Sequence, residues 1–281
     1  MDNKKEKKIQ KTINFLNVVI YPDERQSARR YVELLMAITD KKIAVNTYAD
    51  KITQVETLEQ DGDLYIGKLV NFTSLDGNKW FNKDTNTVEH FTFDLNIYPN
   101  AKEWSFFFMP SLHRIALIGN EKPSLSQIQK FFQNALNHVV SEIYDEKVEV
   151  NIVSSAKKIE EILNSSITSL HIKVTYSNND LNEDMEALID QEMKKSKVRK
   201  IETIATGTRK NPLVISKDGL LKGLTKLSRN NGYTIATGLF YGKYQKVSTK
   251  EFPQISFLNF KEGNMLPQLK LLIQSLFGRH E

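Results

Sequence analysis

The alternation of apolar and polar positions divides the chain into strand-like and helix-like stretches. Ile13 to Tyr21 (INFLNVVIY) alternates and is rich in β-formers, which predicts a strand. Pro22-Asp23 ends it and supplies an acidic start to a helix running to about Ile38. Tyr31, Leu34, Leu35 and Ile38 recur there at helical spacing. Further on, ITQVETLEQ and LYIGKLVNF flank Asp61-Gly62, a dipeptide suited to a tight hairpin turn. From Thr73 to Asn100 the pattern weakens, and Asp76-Gly77 with several Asn residues predicts a long surface loop.

WSFFFMPSLHRIALIG then predicts two strands joined at Pro110-Ser111. A continuous apolar run marks a strand buried on both faces, so Trp104, Phe106, Phe107 and Phe108 are expected in the core. The alternative use of such a run is a base-stacking platform. Pro123-Ser124 opens a helix whose apolar stripe is Leu125, Ile128, Phe131, Phe132, Ala135 and Leu136. A strand (KVEVNIV) and a helix opened by Ser154 follow, the latter with Ile159, Ile162 and Leu163 apolar.

In ITSLHIKVTY, Leu170, Ile172, Val174 and Tyr176 alternate, which predicts a strand with His171 facing outward among polar neighbours. An acidic helix (LNEDMEALIDQEMKK) comes next. Lys200 to Thr206 predicts a strand and Gly207 to Pro212 a loop. Ser216 is the expected N-cap of a helix to Asn230 closed by Gly232. Its apolar face would be Leu220, Leu221, Leu224 and Leu227, with Lys222, Lys226 and Arg229 as an exposed cationic stripe. Tyr233–Tyr241 and Lys243–Ser248 form a hairpin turning near Gly242. The amphipathic LPQLKLLIQSLFG near the end is expected on the core or on a second subunit.

Together these elements predict an α+β fold of two closely packed mixed halves with mainly antiparallel sheets. Residues 1–12 would be a basic flexible tail, 13–150 an N-terminal domain and 151–281 a basic C-terminal domain, with a loose boundary near 145–165. A chain of 281 residues is long enough for both.

Charge alters this picture more than composition does. The whole chain carries +5, yet residues 194–250 hold 14 Lys or Arg against Glu202 and Asp218, a net +12. Such a concentration, with Tyr233, Tyr241 and Tyr244 among the cations, points to a polyanion and most simply to nucleic acid. The expected contacts are Lys194, Lys195, Lys197, Arg199, Lys200, Arg209, Lys210, Lys222, Lys226, Arg229, Lys243, Lys246 and Lys250. With no sequence-reading motif in view, backbone recognition is expected, of DNA before RNA, by a homodimer or alongside a second protein.

Candidate chemistry adds little. Zero cysteines exclude disulfides, zinc thiolates and a Cys nucleophile, and suit a reducing cytoplasm. No stretch approaches the ~18 apolar residues of a membrane span. His90, His113, His138, His171 and His280 lack zinc spacing, and neither a Gly-flanked Ser elbow nor a phosphate loop occurs. His113-Arg114, at a hairpin mouth, is a pair of residue types that could meet a phosphate, although a structural or surface role is the favoured reading.

Asp61 and Asp63 fit turn chemistry better than metal binding. Glu142/Asp145/Glu146 and Asp180/Glu183/Asp184/Glu186 fit solvated helix faces. Asp145-Glu146-Lys147 keeps a metal-dependent nuclease as the enzymatic alternative. A protein-interaction subunit is the other alternative. No cofactor, metal ligand or catalytic residue is predicted.

INFLNVVIYP (13–22), FFFMPSLHRIAL (106–117), PSLSQIQKFF (123–132), NNGYTIATG (230–238) and VSTKEFP (247–253) carry a resemblance. They are similar to a bacterial family of roughly this length, found among phage-defence genes and without assigned chemistry. More distantly, the layout is similar to the Rex exclusion protein A of phage lambda, a dimeric DNA-binding protein. The resemblance implies His113-Arg114 and Asn231 to Pro253 as landmarks and a sensor or effector role in defence. It implies no catalytic residue.

Overall fold

The computed structural model describes residues 8–75, 79–90, 92, 96–119, 123–141, 146–175 and 185–278. The chain runs β1 (Lys8–Tyr21), α1 (Ala28–Asp40), β2 (Ala44–Tyr48), β3 (Lys51–Asp61) and β4 (Leu64–Thr73). It continues through β5 (Trp80–Asn82), β6 (Thr87–Glu89), β7 (Lys102–Met109), β8 (Arg114–Ile118), α2 (Leu125–Val140) and β9 (Lys147–Ile152). There follow α3 (Ala156–Leu163), β10 (Ser166–Thr175), α4 (Met185–Lys195), β11 (Lys200–Thr206) and α5 (Leu220–Asn231). Last come β12 (Gly232–Phe240), β13 (Lys243–Ser248), β14 (Ile255–Lys261) and α6 (Met265–Phe277). The strands pair antiparallel, and the fold is α+β as the periodicity predicts.

The first sheet is built on β1. Along one edge it pairs β14 over Lys8–Asn14 and then β9 over Leu16–Tyr21, while its other edge holds β8 over Ile13–Asn17. The first sheet continues through β7, β4 and β3 to β2. Period-two alternation sends Leu16, Val18 and Ile20 to a core with α1, α2, Phe106 and Phe108. Ile13 and Phe15 point the opposite way, toward Phe107, β14 and α6. Val19, further along that second face, joins a third core built from β10, β12, α4 and α5. Burying each such side chain is worth ~1.5–3 kcal/mol, so this one strand ties the three clusters together. Phe106, Phe107 and Phe108 are core residues and not a stacking surface, whereas Trp104, expected with them, is only half-buried near the start of β7.

Several boundaries differ from those expected. Lys8 to Thr12, grouped with the tail from sequence, are paired to β14. α1 starts at Ala28, because Asp23–Arg25 forms a single 3-10 turn and the Ser27 hydroxyl accepts from Arg30 N at 3.1 Å. Ser155 caps α3 in place of Ser154, whose backbone N–H is given to Arg229 O at 2.9 Å. Ser216 does not cap α5 either; its carbonyl closes a turn onto Gly219 N at 3.1 Å, and the helix starts after Gly219. The stretch after Thr73 carries the small β5–β6 hairpin. Asp61-Gly62 forms the expected turn, with Gly62 at φ +64°.

Where β1 meets the end of α5, a polar row replaces the apolar packing. Asn151, Asn17 and Arg114 are side by side on β9, β1 and β8. Asn17 accepts from Arg114 Nη1 and donates to Asn231 Oδ1 at 2.9 Å and to Asn230 O at 3.2 Å. No helix among the described residues is long and apolar enough to cross a membrane.

Candidate nucleic-acid interface

The second sheet has the order β11-β10-β12-β13. Alternation along β10 buries Leu170, Ile172 and Val174 against α4 and α5, so Ser169, His171 and Lys173 must point to the other side. Register carries that parity across the sheet. Lys173 stands opposite Glu202 on β11 and Tyr233 on β12; His171 stands opposite Ile204 and Ile235. Ser169 aligns with Thr206 and Thr237, and beyond these lie Lys246 and then the Leu239–Tyr244 pair. This outward face is open: Ile204 is 71% exposed and Leu239 48%.

Two tyrosines on the open face each carry a cation. Lys250 Nζ lies 3.6 Å from the Tyr233 ring centroid, and His171 meets the same ring edge-on at 5.9 Å. Arg209 Cζ lies 4.1 Å from the Tyr244 ring centroid, and the Tyr244 hydroxyl is hydrogen-bonded to Thr168 Oγ1. Both contacts are cation–π pairs of ordinary geometry. Burial lowers the pKa of Lys250 below the usual lysine value, and the charge of Lys173 lowers it further. Glu202 is the acid among the outward residues named. Its carboxylate is held below the usual range by hydrogen bonding to Lys200, 3.1 Å away, and it lies 3.7 Å from His171.

Of the cations expected from sequence, the fold gathers Lys200, Arg209, Lys246 and Lys250 on or beside this face. Lys210 and Lys243 are exposed at its margin, in the loop after β11 and at the start of β13. Lys195, Lys197 and Arg199 are exposed on the segment leading into β11. Lys194 is not available: its side chain is 10% exposed and bound to Asp190 at 2.7 Å.

The helical stripe is a correction. α5 packs against α3, α4, β10 and β12, so Lys222 is half-buried and Lys226 is drawn to Glu186 at 3.4 Å. Arg229 turns inward and donates from Nε to Ser154 O at 3.3 Å. Its pKa is lowered by burial and then by the charge of Arg114. Lys222, Lys226 and Arg229 form no free cationic ridge, because the helix is covered on several sides.

Sequence reasoning missed Lys173, which lies outside the 194–250 window. Its signal was present in ITSLHIKVTY, where Lys173 shares the parity of the outward His171.

The other candidate chemistry is absorbed by structure. Arg114 is 1% exposed, lies 4.6 Å from the Phe277 ring and cannot reach an external phosphate. His113, at φ +57°, stacks on Tyr31 with ring centroids 4.7 Å apart. Glu146 is buried with both oxygens on Arg30, at 2.6 and 2.9 Å. Arg30 is accordingly held above its usual pKa, mainly by that hydrogen bonding. Asp145, Glu142, Asp180, Glu183, Asp184, His280 and Asp76-Gly77 lie outside the described residues. Asp61 and Asp63 flank the β3–β4 turn, both near Lys270, at 3.8 and 3.1 Å. Among the described residues no group of three or more His, Asp or Glu is placed to hold a metal ion.

None of the curated proteins compared with the chain matches it. A family model does, over residues 10–265, which takes in all but the first two residues of β1 and every other strand. The chain therefore belongs to the DUF4747 family, a domain of unknown function.

Proposed function

We propose that this protein binds nucleic acid, DNA before RNA, through the open face of its second sheet, by backbone contact and without turnover. One observation carries the reading: Lys173, Lys200, Lys246, Lys250 and Arg209 lie on or beside a face that also presents Tyr233 and Tyr244, with the acid Glu202 standing opposite Lys173. Exposed cations on a rigid sheet attract a polyanion by releasing its counterions, and the helices behind hold the spacing. A role in anti-phage defence, as sensor or effector, belongs to the same reading and is supported by the sequence resemblance. So do a homodimer and a second defence protein as partner, which sedimentation and co-purification test.

The test is an electrophoretic shift with DNA and RNA at low and high salt, with and without Mg²⁺. The expected result is a salt-sensitive shift with intact nucleic acid. The triple variant Arg209→Glu/Lys246→Glu/Lys250→Glu should lose most of the affinity. Removing three phosphate contacts should flatten the log–log salt slope by roughly 2.7 on duplex DNA and roughly 2.1 on a single strand. The control Lys222→Glu/Lys226→Glu should bind nearly as well as the parent, since neither residue lies on the face. An unaltered affinity in the triple variant moves the site elsewhere.

A further inference from the structure

We infer that the strand bound on this face is single-stranded, its bases stacked beside Tyr233 and Tyr244 and its phosphates met by the cations over those rings. The inference rests on the nucleic-acid reading above and adds the form of the ligand. A duplex keeps its base faces stacked inside and presents phosphates and groove edges, so an aromatic on a sheet surface gains little from it. Unpaired bases offer a π-face to any ring, and stacking is tolerant of sequence.

The two rings are arranged for that use. Each is held in place from its own side: Tyr233 by Lys250 and the edge of His171, Tyr244 by Arg209 and Thr168. An ordered ring loses little freedom on binding, and the guanidinium plane of Arg209 is itself a stacking surface. The cation over one face of each ring sets a phosphate partner close to a base stacked on the other face.

Spacing sets the direction of the strand. Tyr244 pairs with Leu239, six residues along β12 from Tyr233. At ~3.3 Å per residue the two aromatics are ~20 Å apart along the sheet, too far for one base and suited to a run of several nucleotides. Between them the surface is lined by Ile235, Thr237 and Lys246, so a chain can lie flat across it. The path runs along the β12–β13 ribbon, with Ile204 offering an apolar contact to one side.

The experiment uses the full chain and fluorescence anisotropy with labelled oligo-dT, oligo-U and a mixed-sequence DNA duplex of equal length, all at one low ionic strength. The expected result is single-stranded DNA or RNA bound at least tenfold tighter than the duplex, with oligo-dT against oligo-U reporting the sugar preference. Tyr233→Ala and Tyr244→Ala should each lose about tenfold in single-strand affinity and little in duplex affinity, while Tyr233→Phe and Tyr244→Phe keep it. The strand comparison on the parent protein needs no variant and stands if an alanine variant fails to fold. Equal affinity for duplex and single strand overturns the inference and leaves nucleic-acid binding intact. No binding of any of the three at low salt overturns the underlying reading itself.

Discussion

Asn17 on β1 donates to the side-chain oxygen of Asn231 at the end of α5, 2.9 Å away and across 214 residues of sequence. Both side chains are buried, and the same Asn17 accepts from Arg114. The contact clamps the first sheet to the helix that supports the second. It sits at the point on β1 where Ile13 and Phe15 face the α6 core and Val19 faces the α5 core.

Asn17→Ala should therefore destabilise the protein by about 2–4 kcal/mol, since it strands a buried acceptor and loosens a buried arginine. Urea unfolding should show the loss as a lower midpoint. Asn17→Leu, which restores volume without the hydrogen bonds, should not recover it. An unchanged midpoint in both variants would mean that the clamp contributes nothing.

Gly232 joins α5 to β12 at φ +156°, and a Cβ there would lie 1.9 Å from the backbone oxygen of Lys173. Gly232→Ala must push β12 away from β10 next to Tyr233, at a cost of about 2–4 kcal/mol. Thermal melting should fall, and the folded fraction should bind nucleic acid more weakly because Lys173 and Tyr233 shift together. A variant that melts like the parent would show that the strands can part there freely.

Glu202→Gln should strengthen polyanion binding by a few-fold at low salt, with the gain shrinking as salt rises. The carboxylate is ionised at neutral pH, its pKa lowered further by hydrogen bonding to Lys200, so the substitution removes a full negative charge from the face and releases Lys200. Titration against one oligonucleotide at two ionic strengths measures it, alongside an unaltered melting temperature. Weaker binding in Glu202→Gln would place the polyanion off this face.

The pH dependence follows from Lys250. Its pKa is lowered by burial and by Lys173, so the cation over Tyr233 is lost below the ~10.4 of an ordinary lysine. Affinity for nucleic acid should therefore begin to fall on the alkaline side earlier than for exposed lysines. Because the unfolded chain holds that proton more tightly, folding stability moves the other way and rises through the same interval. Lys250→Arg should remove the early fall in affinity. A fall that persists in Lys250→Arg would assign the titration to another group.

Local pattern was enough to place most strands and helices. INFLNVVIY is rich in β-formers because β1 is a strand buried on both faces, and the Leu125–Leu136 stripe is apolar because α2 packs into a core; both follow from backbone geometry within a few residues. The excess of positive charge between 194 and 250 is likewise a property of the sequence, independent of any fold.

What those charges face was settled by packing at a distance. Lys222, Lys226 and Arg229 share one helical stripe, yet α3, α4 and Ser154 cover it, because a helix stripe is exposed only if nothing from elsewhere in the chain lies on it. Lys173 reaches the same face as Lys200 and Lys246 only because β10 is inserted between β11 and β12, and strand order is a long-range choice with no local signature. The sequence by itself determined the elements and the charge they carry. The tertiary structure decided which of those charges meet, since register and burial depend on partners tens to hundreds of residues away.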